Sequence, residues 1–344
     1  MMGEQINISV LMSVYNGELY LAEAIESILA QTFDSFEFLI INDGSTDSSE
    51  KIINSYDDPR IRLENNEGNK GLVYSLNKGL NLARGKYIAR MDCDDIAWPH
   101  RLEKQFTFME ANPNVGICGT WFEAFDKQTD WKRTVRFPVK DTAIRALMFT
   151  QSPFCHPSVM MRKELFEIYD LKYPSEYYRA EDYGLWIKLL NYTDGYNLPE
   201  VLLRYRRHET NETRLAEKQL SKRNATLQEI QKKQLDLLDI HVESDSASLY
   251  FDFVNRSTPC TFSFQEQEEI EFIIQTISSE LNKHRKAVYS EYEKIIAKTC
   301  FYRFYSARLY PKNKYLKNLY WKGFFQYIYA IAIKKTIICH FYYG

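Results

Sequence analysis

Asp92, Asp94 and Asp95 fall within four positions of the stretch RMDCDD, where a β-like run, KYIARM, comes to an end. Carboxylates so closely spaced repel one another unless a cation, a hydrogen-bonding ligand or solvent relieves them. Oxygen ligands of this kind suit hard divalent ions such as Mg²⁺ or Mn²⁺, which commonly bridge one or two carboxylates to substrate phosphates. The same residues would also make a solvated turn, with Asp95 capping the helix that follows and Pro99 at an early helical position. Taken alone, the cluster leaves both open. Two other stretches could do chemistry. NDGSTD places Asp43 after a second apolar run, as a ligand-binding carboxylate or a turn former, and RAEDYGLWIKLL places Glu181 and Asp182 at a helix start. A positioned carboxylate there is a candidate general base, or else first-turn charge that favours the helix. His156, in CHPSV, and His208, in YRRHETN, are imidazoles of either structural or functional use.

These groups need elements to hold them. INISVLMSV (6–14), FEFLII (36–41), RIRLEN (60–65) and KYIARM (86–91) read as strands. Between them, 18–31, 45–56 and 71–83 carry helical apolar spacing, with Ser45 or Thr46 available to cap the second helix. Strands alternating with helices predict a mostly parallel sheet covered on both faces. Ligands of open α/β sheets gather at the carboxyl ends of the strands. YNGE, NDGSTD and DCDD all fall at such ends, so one rim collects them.

Across 344 residues the chain has room for two domains, or for one large α/β domain with an appendage. Hydrophobic residues at 45 % and charged residues at 26 % exclude a disordered chain. Cysteines at 93, 118, 155, 260, 300 and 339 show no Cys-x-x-Cys pair, which predicts reduced thiols of a cytosolic protein rather than a disulfide framework or zinc site. The acidic and polar N-terminal residues do not make a secretory signal. The pattern loosens into shorter strands and helices over 113–212, then turns to helix composition over 212–240 and 263–310. We therefore expect a catalytic domain over 1–212, with a nucleotide half at 1–112 and an acceptor half at 113–212. A helical C-terminal region is expected over 213–344.

The ordered set VYNGE, NDGSTD, ARGKYIARMDCDDIAWPHRLEKQ and AEDYGLWIKLL resembles family 2 glycosyltransferases over roughly 6–212. The resemblance implies the GT-A fold, a Rossmann-like sheet flanked by helices, and inverting transfer of a hexosyl or N-acetylhexosaminyl group from a nucleotide-sugar donor. It implies that Asp43 contacts the uracil ring, although the usual Asp-Asp pair here is Asn42-Asp43. Asp92 and Asp94 match the DxD acids, Asp92 toward the ribose or metal and Asp94 as direct ligand of Mn²⁺ or Mg²⁺. Tyr15 and Asn16 match the wall of the nucleotide site, and Lys70, Asn77 and Arg84 are nearby candidates for the donor or for helix-surface charge. Asp182 matches the catalytic base, with Glu181 in support. His208 falls where the family approaches the diphosphate or metal, Arg206 could add positive charge there, and His156 is structural or acceptor-proximal. The expected partners are a UDP-sugar and a glycan or lipid-linked glycan acceptor, as in lipopolysaccharide, O-antigen or capsule synthesis, with no nucleic acid.

The absence of a Walker-type GxxxxGK[ST] argues against ATP hydrolysis. The absence of the processive synthases' Gln-x-x-Arg-Trp segment implies one sugar per encounter. A sugar nucleotidyltransferase, or a noncatalytic glycan-binding or membrane-scaffold protein, is the alternative; the first expects a Gly- and Arg-rich loop where this chain has SVYNGE. Of the 44 basic and 46 acidic residues, ten basic and no acidic ones follow Glu293. Together with the aromatics of YWKGFFQYIYAIAIKK, this predicts either peripheral association with an anionic inner membrane face or a helical appendage packed on the catalytic domain.

Overall fold

The computed structural model describes residues 6–209, 211, 219–240, 242, 244–255, 261–307, 309 and 311–327. Two compact units divide the chain. The first runs to Ile144 and resumes over Ser152–Arg223; the second comprises Arg145–Gln151 and the chain from Asn224.

In the first unit, strands β1 (Ile8–Val14), β2 (Phe36–Asn42), β3 (Ile61–Asn65) and β4 (Tyr87–Asp92) alternate with helices α1 (Leu21–Leu29), α2 (Ser49–Asn54) and α3 (Leu72–Leu82). The four strands pair in parallel in the order β3-β2-β1-β4. Every residue of β2 is buried, as expected for a strand covered by helices on both faces. The core collects Val10, Met12, Phe38, Ile40, Ala89 and Met91 from the strands, with Leu21, Ile25 and Ile28 from α1 packed among them. At Gly85, an added Cβ would lie 2.4 Å from the Ser9 backbone nitrogen, so the approach of the chain to β4 requires glycine.

Beyond β4 the sheet becomes mixed. After the short β5 (Ile96–Ala97) and α4 (Arg101–Ala111) come β6 (Val115–Asp126), β7 (Trp131–Val135), α5 (Asp141–Leu147), β8 (Met160–Arg162), α6 (Lys163–Ile168), α7 (Glu181–Leu189) and β9 (Asp194–Arg206). The order continues β4-β8-β6-β9-β5, with β8 antiparallel to both its neighbours and β6 parallel to β9. The stretch expected to hold only shorter elements thus contains the two longest described strands, of 12 and 13 residues. In β6 the alternation is masked because both faces are buried along its first half.

Apart from 145–151, the second unit is helical in its described residues: α8 (Leu220–Leu237, whose first residues belong to the first unit), α9 (Ser244–Val254), α10 (Phe264–His284) and α11 (Lys286–Ser306), followed by a helical stretch over 314–327. The run 263–310, which reads as one helical segment, breaks at Arg285, where φ is −143°. A capping box starts α10: Ser263 Oγ accepts from the Glu266 N–H, and Glu266 in turn accepts from the Ser263 N–H. Ile270, Ile273, Ile274, Ile277, Tyr292 and Ile296 form a core of their own. Among the described residues no helix is long and apolar enough to cross a membrane.

Candidate active site

Strand pairing brings the polar strand ends together. Ser13 of β1 lies beside Asp92 of β4, and Val14 lies beside Asn42 of β2, so the segments after all three strands leave the sheet at one rim. Hydrogen bonds lace the first two. Asn16, held at φ 50°, accepts the Thr46 N–H through Oδ1 at 2.8 Å and donates its own N–H to Ser45 Oγ at 3.1 Å. Ser45 and Thr46 therefore serve the loop rather than cap α2, whose N-cap position is Ser48. Tyr15 beside them is 48 % exposed, open to a ligand lying over the rim.

Asp43 is buried. Its Oδ1 accepts from Asn66 Nδ2 at 2.7 Å and from the Lys70 N–H at 2.9 Å, and its Oδ2 accepts from the Gly71 N–H at 2.8 Å. Three donors on four acceptor sites leave one on Oδ2 for a ligand donor. Lys70 thus meets Asp43 through its backbone. Asn77 turns the other way: its carboxamide clamps the Tyr173 backbone through two hydrogen bonds of 2.9 Å. Arg84 stands apart from the site, at the opposite end of β4, where its N–H bonds Ser9 Oγ and Glu37 Oε1. Named as a candidate for the donor or for helix-surface charge, Arg84 precedes β4 at the end of the strand away from the acids.

At the end of β4 the three acids differ. Asp92 pairs with the buried Arg90. Asp94 Oδ2 lies 2.8 Å from His208 Nε2 and accepts from Asn211 Nδ2 at 2.8 Å. Asp95 is fully buried; its Oδ1 accepts the Arg206 N–H at 2.8 Å, while Oδ2 has no hydrogen-bond partner among the described residues. It therefore does not cap α4, where His100 occupies the N-cap position. Burial, then the charges of Asp94 and Asp92, push the Asp95 carboxyl well above the usual carboxylate range. Ligand oxygens of the three acids lie within 4.8 Å of one another. The set fits a hard divalent cation: carboxylate oxygens dominate, and one buried oxygen has no partner among the described residues.

Arg206 is a strut for this turn. Besides its bond to Asp95, its Nε donates to the Asp94 carbonyl at 2.8 Å and its Nη2 reaches Glu23 at 2.5 Å, with the guanidinium between the Tyr20 and Phe125 rings. Its charge is committed to positioning β9 against the acids. Helix α4 braces β4 and β6: Arg101 Nη2 donates to the Arg90 carbonyl of β4 at 2.6 Å, and Gln105 Nε2 donates to the Cys118 carbonyl of β6 at 2.6 Å. Burial, reinforced by the nearby charge of Arg90, lowers the Arg101 guanidinium to about 10.

Glu181 and Asp182 open α7. Glu181 is buried, whereas Asp182 is partly accessible and makes a long contact of 3.5 Å with Ser152 Oγ. Burial raises the Asp182 carboxyl above its ordinary value, opposed by the Tyr183 N–H and by the charges of Arg223 and Arg90. His156 Nε2 lies 2.9 Å from Tyr173 Oη, and burial followed by Arg90 pushes the imidazole well below its usual range, so it is neutral. The charge of Arg90, which is ion-paired with Asp92, opposes the rise of the Asp182 and Tyr173 groups and adds to the lowering of His156. Sequence reasoning missed Arg90, Tyr173 and Asn211. An arginine inside an otherwise apolar strand, IARM, was the one available signal for the first; nothing local marks the others.

A family model described as glycosyl transferase family 2 matches residues 9–169. An uncharacterized glycosyltransferase of Methanocaldococcus jannaschii is 38 % identical over 205 residues, spanning 58 % of this chain and 70 % of its own. This chain belongs to glycosyltransferase family 2. The alternatives of a nucleotidyltransferase and of a noncatalytic scaffold fall away with that membership. A second family relative, the Escherichia coli UDP-Gal:alpha-D-GlcNAc-diphosphoundecaprenol beta-1,3-galactosyltransferase, is 35 % identical over 203 residues, 57 % of this chain and 72 % of its own. Among solved structures, Staphylococcus aureus TarS 1–349 in complex with UDP-GlcNAc superposes with a TM-score of 0.59 at 20 % identity, covering 91 % of this chain and 89 % of that one. The family 2 chain accordingly has the GT-A fold with C-terminal helices appended.

Proposed function

We propose that this glycosyltransferase moves a single sugar, with inversion, from a UDP-sugar to a hydroxyl of a lipid-linked glycan during synthesis of a surface polysaccharide. The observation that carries the reading is the gathering of Asp43, Asp92, Asp94 and His208 at one rim of the sheet, where Asp94 Oδ2 lies 2.8 Å from His208 Nε2. The galactosyltransferase relative, whose name specifies a UDP-sugar and a diphosphoundecaprenol-linked acceptor, supports the substrate classes.

In this scheme Asp43 accepts a base N–H at its remaining site, Tyr15 and Asn16 flank the nucleotide, and Asp92 faces the ribose. Asp94 and His208 would hold Mn²⁺ or Mg²⁺, which when bound offsets the negative charge growing on the departing diphosphate. Asp182 takes the proton of the acceptor hydroxyl as its oxygen bonds to the anomeric carbon and the bond from that carbon to the diphosphate breaks. Burial that raises its carboxyl strengthens it as a base. Glu181 and the neutral His156–Tyr173 pair shape the acceptor side.

Replacing Asp182 by Asn removes the base and keeps the shape. Transfer should fall by about 10²- to 10⁴-fold with UDP-sugar affinity retained, as read by product formation and by donor titration calorimetry. Full transfer by Asp182→Asn would sink the assignment.

A further inference from the structure

The apolar run after Tyr327, expected to meet a membrane or to pack as an appendage, falls outside the described residues. Within the described site one polar group has no use so far. His156 is half-buried at the start of a 3-10 turn, His156–Ser158, and its surroundings join both ends of the reaction. Just after the turn the Val159 carbonyl accepts the Arg90 N–H at 2.9 Å, and β8 then runs antiparallel to β4 with Met160 opposite Ala89. Followed backwards from that pairing, the chain reaches His156 alongside the end of β4 that carries the acids. The imidazole also packs T-shaped on Trp186, with ring centroids 5.9 Å apart. Trp186 stands four residues after Asp182 on α7, hence on the same face of that helix.

The two ring nitrogens differ. Nε2 lies 2.9 Å from Tyr173 Oη, and that hydroxyl has no other hydrogen-bond partner among the described residues. Tyr173 is 1 % exposed, so its O–H is satisfied as a donor only if Nε2 accepts; the reverse arrangement would bury an unpaired hydroxyl proton. Burial and then the charge of Arg90 keep the ring neutral, which leaves its single proton on Nδ1. Nδ1 has no partner among the described residues and is not sealed from solvent. It is therefore an open N–H donor of fixed tautomer. Given the donor and base assignments proposed above, on which this rests, the sugar being transferred lies between the acids of the β4 turn and Asp182. An uncharged donor there suits the hydroxyls of a sugar. We infer that His156 Nδ1–H donates to a hydroxyl oxygen of the transferred sugar and helps to select it, with Tyr173 as the positioning residue that holds the tautomer.

Titration calorimetry of the full chain with Mn²⁺ tests this, using UDP, UDP-glucose, UDP-galactose and their N-acetylhexosamine counterparts. His156→Phe keeps a ring against Trp186 and removes both nitrogens. It should weaken the tightest-bound UDP-sugar by about twofold to tenfold, as loss of one hydrogen bond does, and leave the affinity for UDP unchanged. His156→Asn, whose carboxamide N–H falls near the place of Nδ1–H, should regain most of that loss. Unchanged UDP binding also shows that each variant is folded. Equal losses for UDP and UDP-sugar, or no loss for any UDP-sugar, overturn the inference and leave the UDP-donor reading intact. A parent chain that binds neither UDP nor a UDP-sugar overturns both.

Discussion

At the residue scale, three adjacent acids acquire three duties. Asp92 is paired with Arg90, Asp94 meets His208 and Asn211, and Asp95 is buried with one oxygen unpartnered among the described residues. Asp182 has a separate environment, and its pH behaviour follows from it. Its folded-state pKa is raised, so as a carboxylate its contribution to stability is present below the unfolded value and is lost as pH rises through the folded one. As a base it works only when ionised. The acid limb of kcat/KM should therefore lie above the ordinary aspartate value of about 3.9. Arg223 opposes the shift, so Arg223→Ala should move that limb to higher pH. A pH–rate profile checks this; an unmoved limb would detach Arg223 from the base.

At the element scale, the site depends on clamps between segments far apart in the chain. Asn77, on α3, holds Tyr173 through its backbone, and Tyr173 in turn holds His156. Asn77→Ala leaves a backbone N–H and carbonyl without their partners, at a cost of about 1–3 kcal/mol. Chemical denaturation should show that loss, while Asn77→Asp, which can still accept the Tyr173 N–H, should recover part of it. The β9 terminus works similarly, since Arg206 ties it to the acid turn through two main-chain groups and Asp95. Strands β1, β2 and β4 were legible because their apolar runs are short and bounded by polar clusters. The extent of β6 was not, because burial on both faces along its first half removes the alternation that marks a strand, and Pro199 inside β9 argues locally against a strand there.

For the whole molecule, two cores support two compact units. Ile274 lies at 1 % exposure in the second, so Ile274→Ala should cost about 2–5 kcal/mol, seen as a lower urea midpoint by circular dichroism at a helix-sensitive wavelength. A midpoint within error of the parent would show that the α9–α11 core tolerates the cavity. The break at Arg285 that lets α10 and α11 turn back on one another carries neither glycine nor proline, and so left no mark in composition.

The sequence by itself determined the chemistry on offer and its address. Acids placed after apolar runs must emerge where strands end, because parallel strands joined by helices all point one way. That logic located Asp43 and Asp92–Asp95, and the order of motifs identified the family. Only the tertiary structure decided which groups meet. It brought His208 and Asn211 to Asp94 across more than a hundred residues, turned Arg206 into a strut and sent Arg84 to the far end of its strand. It also paired the buried Arg90 with Asp92. Side-chain direction and burial depend on the packing of distant elements, and local spacing carries no record of them.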